Sequence, residues 1–216
     1  DFSQAALDRT FAACDAYDAT IAGLGVERLR FVATSASRDV SNRSAFVDGV
    51  RARLGIAPEV ISGAEEARLS FRGAVEGLPV DDIAMPTLVV DIGGGSTEFV
   101  LGDRRGEGAV DVEAAVSVDI GCVRMTERHL HADPPTPEEI ARVEADVEAA
   151  LDRAALVVPL DRARSLIGVA GPVTTVLALV HDLSAYDPAA IHGLVATPEE
   201  VEAMTARLLA MPRAER

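Results

Sequence analysis

The chain has 216 residues, 49% hydrophobic and 25% charged, the balance of a soluble globular protein long enough for one large domain or two small ones. Thirty-five acidic against 20 basic residues give a net charge of −15, so the surface repels DNA and anionic membranes, and an anionic ligand needs a local positive site. Every basic residue is arginine, which excludes a Walker A loop, a protein-kinase strand lysine and Schiff-base chemistry.

In chain order, Leu7, Phe11, Cys14, Ile21 and Leu24 recur on one helical face, with Ser3 placed to cap the start and Gly23 and Gly25 the end. Leu29 to Ala33 reads as a strand, Thr34 to Arg38 as a polar turn and Ser44 to Leu54 as a helix. A short strand from Glu59 to Ser62 and a helix from Ala64 to Glu76 follow. Gly77 to Pro86, with two prolines and two aspartates, reads as a linker. The pattern then turns strand-rich. Thr87 to Ile92 is a β-branched apolar run of the kind a central buried strand shows. Thr97 to Leu101 pairs with it across a glycine-rich tip, and Val112 to Val118 is a third strand. Thr136-Pro137-Glu138-Glu139 and Thr197-Pro198-Glu199-Glu200 each combine an N-cap threonine, a first-turn proline and a glutamate that closes a capping box. Ser165 to Ala170 reads as a strand running into a helix after Gly171. The order is α/β, divided into 1–85 and 86–216. The most apolar stretch, Ile167 to Val180, is too short for a membrane span and contains Gly171-Pro172.

Asp91-Ile92-Gly93-Gly94-Gly95-Ser96-Thr97-Glu98 carries the strongest chemical signal. Three glycines let backbone approach a ligand and take left-handed angles that aim successive N–H groups at phosphate oxygens. A tight hairpin needing glycine at its tip is the plainer account, although one or two would serve. Glu98 stands where a dinucleotide fingerprint requires glycine, so that reading fails. Asp91 and Glu98 flank the glycines with hard oxygen ligands of the kind Mg²⁺ takes. Arg38 ends a hydroxyl-rich turn, and its guanidinium suits bidentate phosphate contact. Glu65 and Glu66 open a helix, where the helix dipole alone explains two acids unless one serves as a general base. Gly168 to Thr175 is a second strand–glycine–helix junction able to hold an anion, although close strand–helix packing explains its glycines nearly as well. His129 and His131, two apart, point to different helical faces and make no metal pair. Cys14 and Cys122 are too few for a zinc cage or disulfide framework and suit a reducing cytosol; with no Lys or His adjacent, Cys122 reads as buried.

Ala33 to Arg38, Ile61-Ser62-Gly63-Ala64-Glu65-Glu66-Ala67-Arg68 and Asp91 to Glu98, followed in order by Asp119-Ile120-Gly121-Cys122-Val123 and Gly168-Val169-Ala170-Gly171, together resemble the exopolyphosphatase / guanosine pentaphosphate phosphohydrolase family (Ppx/GppA). The resemblance implies an actin-like, ribonuclease-H-like fold of two α/β subdomains with a cleft between them. It implies that Gly93, Gly94, Gly95 and Ser96 form a phosphate loop, and that Asp91 and Glu98 serve metal binding and catalysis. By the same resemblance Glu66 activates water with Glu65 as the fallback, and Arg38 lines a phosphate channel; Gly171 belongs to the second anion junction. The implied reaction is Mg²⁺-assisted attack of water on a terminal phosphoryl group of polyphosphate or guanosine pentaphosphate, by a cytoplasmic enzyme with a homodimer as the expected assembly. An actin-like kinase or ATPase shares the glycine hairpin, and a non-catalytic polyphosphate- or nucleotide-binding module is the third reading. The family's opening phosphate hairpin has no counterpart here and Pro172 stands where threonine is usual, so the sequence is expected to be a central piece of a longer chain.

Overall fold

The computed structural model describes residues 1–34, 37, 40–79, 83–105 and 109–216. They form two compact units, Asp1–Glu66 and Ala67–Arg216.

The first unit is built on α1 (Gln4–Leu24) and α2 (Arg43–Leu54). Ser3 Oγ accepts the Ala6 N–H at 3.2 Å, and the left-handed Gly25 ends α1 by returning its N–H to Ala22. Leu7 and Cys14 of α1 and Phe46, Val50 and Leu54 of α2 are buried in one cluster, with Phe11 and Ile21 packed against it. The first expected strand contracts to β1 (Val32–Ala33), paired in parallel with β2 (Glu59–Val60). The second stops short of Ser62 because the Ile61 N–H makes the last rung to Ala33, and Ser62 Oγ instead accepts the Glu65 N–H at 3.2 Å.

That bond starts α3 (Gly63–Glu76), which begins in the first unit and ends in the second. Ala67, Phe71 and Val75, four apart and so on one helical face, are buried against Val89 and Val100 of the second unit's sheet. This packing keeps the end of α3 with the sheet of the second unit.

The sheet has the order β5–β4–β3–β6: β3 (Thr87–Ile92), β4 (Thr97–Arg105), β5 (Ala109–Val118) and β6 (Ser165–Val169). The run read as a central strand, β3, lies between antiparallel β4 and parallel β6. Its side chains alternate as a pleated strand requires. Val89 faces α3, while Leu88 joins Phe99, Leu101, Met125, Ala150 and Ala154 in a second core on the other face.

That second core rests on α4 (Cys122–His129) and α5 (Pro137–Ala155); α6 (Gly171–Val180), α7 (Pro188–Ile191) and α8 (Pro198–Ala210) are the further α-helices among the unit's described residues. Both expected capping boxes form, at Thr136 with Glu139 and at Thr197 with Glu200. The Glu139 carboxylate accepts backbone N–H groups from Thr136 at 3.0 Å, His131 at 3.0 Å and Ala132 at 3.2 Å. These bonds, that of Thr136 foremost, hold its carboxyl below the ordinary value of 4.5 against the opposing effect of desolvation. A depressed folded-state pKa contributes stability that is present above the unfolded value and lost as pH falls through the folded one. Glu139→Gln is therefore expected to lower Tm at neutral pH and to lower it less as pH drops below 4.5. Parallel thermal melts across that range check this; a pH-independent difference would remove the carboxylate charge from the account. Among the described residues, no helix is long and apolar enough to cross a membrane.

Candidate active site

In the β3–β4 ladder Asp91 lies opposite Glu98 and Ile92 opposite Thr97, so Gly93 to Ser96 form the turn. Directly opposed residues of antiparallel strands share a face, and the alternation places both acids on the α3 side. Ser70 Oγ, from α3, donates to Asp91 Oδ2 at 2.6 Å. Ser117 Oγ, from β5, donates to Glu98 Oε1 at 2.7 Å. Asp91 is half-buried, while Glu98 is 2% exposed, a depth at which a carboxylate needs hydrogen-bond partners. Among the described residues, no group of three or more His, Cys, Asp and Glu side chains converges. Two carboxylates beside two hydroxyls form an all-oxygen donor set, which fits Mg²⁺, an ion that takes one or two carboxylates and keeps several waters.

The turn closes through the Gly93 N–H to Ser96 O at 3.0 Å, and its remaining carbonyls are turned toward α4. Gly93 O accepts the Cys122 N–H, and Gly94 O accepts both the Val123 and Arg124 N–H groups, each at 3.0 Å. Gly95 O accepts from Arg124 Nε at 2.6 Å. The loop thus supplies acceptors to the first N–H groups of α4, which no turn within a helix can satisfy. Thr97 Oγ1 adds a hydrogen bond to Ile120 O.

The glycines act by permitting contact and not, as the sequence suggested, by left-handed angles: among the described glycines, positive φ occurs at Gly25, Gly55 and Gly193. A Cβ on Gly93 would sit 3.2 Å from Ser96 O, and one on Gly94 would sit 3.4 Å from Val123 Cγ2. The tightest approach is at Gly121, where a Cβ would fall 2.4 Å from the carbonyl carbon and oxygen of Gly94 and 2.5 Å from Gly95 N. Cys122, expected to be buried, is exposed, because it occupies the first turn of α4 next to the loop.

β6 runs parallel to β3 with Val169 opposite Asp91, so its junction with α6 emerges at the same end of the sheet as the glycine turn. A Cβ on Gly168 would meet Val173 Cγ1 at 2.8 Å, whereas one on Gly171 would meet nothing within 4 Å. Packing therefore accounts for the first glycine and not for the second. Between them Ala170 turns the chain at φ 73°, ψ 177°, its carbonyl held by the N–H and Oγ1 of Thr174 at 3.1 and 3.2 Å. Ser70, Asp91, Gly121, Cys122, Ala170 and Thr174 all line one cavity of about 1670 Å³ in this unit, whose other walls are chiefly apolar.

Glu65 and Glu66 are both half-buried in the first turn of α3, with the Glu66 N–H on Ser62 O at 2.9 Å. Ser70, which holds Asp91, is one helical turn beyond Glu66 on the same face. Arg38 lies outside the described residues. Sequence reasoning gave no role to four residues of the site. Ser70 was legible from its helical spacing to Glu66, and Gly121 and Arg124 from the motif around Cys122; nothing local marked Ser117.

Over its whole length, residues 1–216, the chain matches the model of the Ppx/GppA phosphatase family. The chain belongs to the Ppx/GppA phosphatase family. It is similar to Exopolyphosphatase 2 of Mycobacterium tuberculosis, with 46% identity over 220 residues that take in 100% of this chain and 66% of that protein. A solved exopolyphosphatase-like protein superposes with a TM-score of 0.94 at 46% identity, covering 100% of this chain and 67% of the other. A Ppx/GppA family member from Aquifex aeolicus superposes with a TM-score of 0.76 at 30% identity, covering 100% and 66%. The Ppx/GppA chain thus spans about two-thirds of the length of these relatives, and it has the actin-like ATPase fold of its structural neighbours.

Proposed function

We propose that this Ppx/GppA chain carries the site of a phosphoanhydride hydrolase that removes the terminal phosphoryl group of polyphosphate, guanosine pentaphosphate or both. The observation that carries the reading is the pairing of Asp91 with Glu98 one rung below a glycine turn whose Gly93, Gly94 and Gly95 carbonyls are taken up by α4. In the reaction, the oxygen of a water bonds to the terminal phosphorus as the bridging P–O bond breaks, giving orthophosphate and a substrate shorter by one phosphate. Glu66 accepts the proton of the attacking water, with Glu65 as the fallback. The Gly93–Ser96 loop, Arg38 and the backbone at Gly171 hold phosphate oxygens. Asp91 and Glu98 would hold Mg²⁺, which when bound neutralises charge on the phosphoryl oxygens. The 46% identity to Exopolyphosphatase 2 supports this substrate class. We place the enzyme in the cytoplasm and assign a homodimer as its assembly.

The test is orthophosphate release from long-chain polyphosphate and from guanosine pentaphosphate by the full-length protein that carries this sequence. Excess EDTA is expected to lower the rate by a factor of about ten or more and added Mg²⁺ to restore it, because the ion contributes several kcal/mol of charge stabilisation. Unchanged release in EDTA would take the metal out of the mechanism. Failure to release phosphate from either substrate overturns the reading.

A further inference from the structure

We infer that Ser70 makes the site selective for Mg²⁺ over Ca²⁺ by engaging one oxygen of Asp91, an inference that rests on the proposed role of Asp91 as a metal ligand. A hydroxyl has one proton to donate. Within a helix that proton commonly goes back to the carbonyl four residues earlier, as it does here at Thr10, Thr20, Thr126 and Thr205. Ser70, inside α3, sends its proton across to the sheet instead, to Asp91 Oδ2 at 2.6 Å. Among the described residues no other hydrogen bond reaches this carboxylate. Oδ2 is thus committed to the protein. Oδ1 is the oxygen left for a ligand in the cavity that Ser70 and Asp91 both line.

Both ends of this bond stand on anchored backbone. Ala67 and Phe71, which bracket Ser70, are 1% and 0% exposed in the cluster they share with Val89 and Val100. Val89 is two residues before Asp91 and so on the same face of β3. α3 cannot roll and β3 cannot turn without opening that core, and the hydrogen bond holds the carboxylate against a frame that does not yield. Mg²⁺ demands a near-ideal octahedron and keeps several waters, which suits one fixed carboxylate oxygen. Ca²⁺ takes more oxygens in a looser arrangement and accepts both oxygens of a carboxylate. A rigid acid that withholds one oxygen favours the first ion over the second.

The experiment follows Mn²⁺ bound to the full-length protein by electron paramagnetic resonance and displaces it with Mg²⁺ or with Ca²⁺. Wild type, Ser70→Ala and Ser70→Cys are compared, and Asp91→Asn marks the signal that belongs to this site. Alanine is the strongest helix former, so Ser70→Ala keeps α3, and a thermal melt of each variant checks that it is folded. Wild type is expected to prefer Mg²⁺. In Ser70→Ala the Mg²⁺ affinity is expected to fall about tenfold, the lower end of what a residue behind a metal ligand contributes. Its Ca²⁺ affinity should fall less, so the preference narrows several-fold. Ser70→Cys, similar in shape but with a weakly donating thiol, is expected to follow alanine. A wild-type Mg²⁺-to-Ca²⁺ ratio in Ser70→Ala overturns the inference and leaves the proposed function standing. The same ratio in Ser70→Cys also overturns it, because filled space and not the donated proton would then set the preference. If wild type and Asp91→Asn bind Mn²⁺ equally, the metal assignment of Asp91 fails and the inference with it. Phosphate release then judges the hydrolase reading separately.

Discussion

Glu66→Gln is expected to slow orthophosphate release by roughly 10²- to 10⁴-fold, the range a positioned general base contributes. Glutamine keeps the size of glutamate and its capacity for hydrogen bonding but cannot take up a proton at neutral pH. α3 is started by Ser62, whose Oγ accepts the Glu65 N–H and whose carbonyl accepts the Glu66 N–H, bonds independent of the Glu66 carboxylate. Loss of a carboxylate from the first turn of a helix costs about 0.3–1 kcal/mol in dipole interaction, which is small against the expected loss of rate. Three measurements on one preparation separate the roles: the rate of phosphate release, the affinity for inorganic phosphate and the melting temperature. A rate loss with affinity and Tm near wild type identifies the base. An unaffected rate eliminates Glu66 and transfers the test to Glu65→Gln.

The second large effect is expected at Gly121, where one methyl group should disturb both stability and binding. In Gly121→Ala the new carbon would be placed 2.4 Å from the Gly94 carbonyl, and no side-chain rotation relieves it because the obstructing atoms are backbone. Overpacking of this kind costs about 1–3 kcal/mol. The turn must also shift away from α4 and lengthen its bonds to Cys122, Val123 and Arg124, and a displacement of about 1 Å in a positioning element can cost about 10²-fold in rate. Gly73→Ala is the matched control. It lies within α3, its Cβ would meet nothing within 4 Å, and alanine there should stabilise the helix by about 0.5–1 kcal/mol. Chemical denaturation and phosphate titration of the two variants check the contrast. Equal stability of Gly121→Ala and wild type would mean that the loop and α4 are not in tight contact.

What the sequence made legible was local. The capping boxes at Thr136 and Thr197 form as read because every atom involved lies within one helical turn. The central character of β3 was carried by its uninterrupted apolar run, and the hairpin by the three glycines after it. β1 and β2 came out shorter than their apolar patterns suggested because strand length is decided by a partner remote in sequence. The helix α4 went unread for a related reason. It is only eight residues long and has no side-chain N-cap to announce it, and its start is fixed by carbonyls of the distant glycine turn. Missing α4 also misplaced Cys122. In the site itself, Asp91 and Glu98 could be picked out as flanking acids, but their placement opposite one another is a matter of ladder register. The hydroxyls on them, Ser70 and Ser117, come from separate elements whose approach no spacing rule encodes.

The turn at Ala170 has a bearing on how α6 meets an incoming anion. A side-chain-bearing residue in that sparsely populated backbone region stores about 1–3 kcal/mol, and here it is clamped by the two Thr174 bonds to its carbonyl. The free energy of bending the chain into the mouth of α6 is therefore expended once, when the protein folds. Under the proposed function, a phosphate arriving at that mouth meets the Gly171 backbone already stationed and need not surrender part of its affinity to freeze a supple glycine hinge.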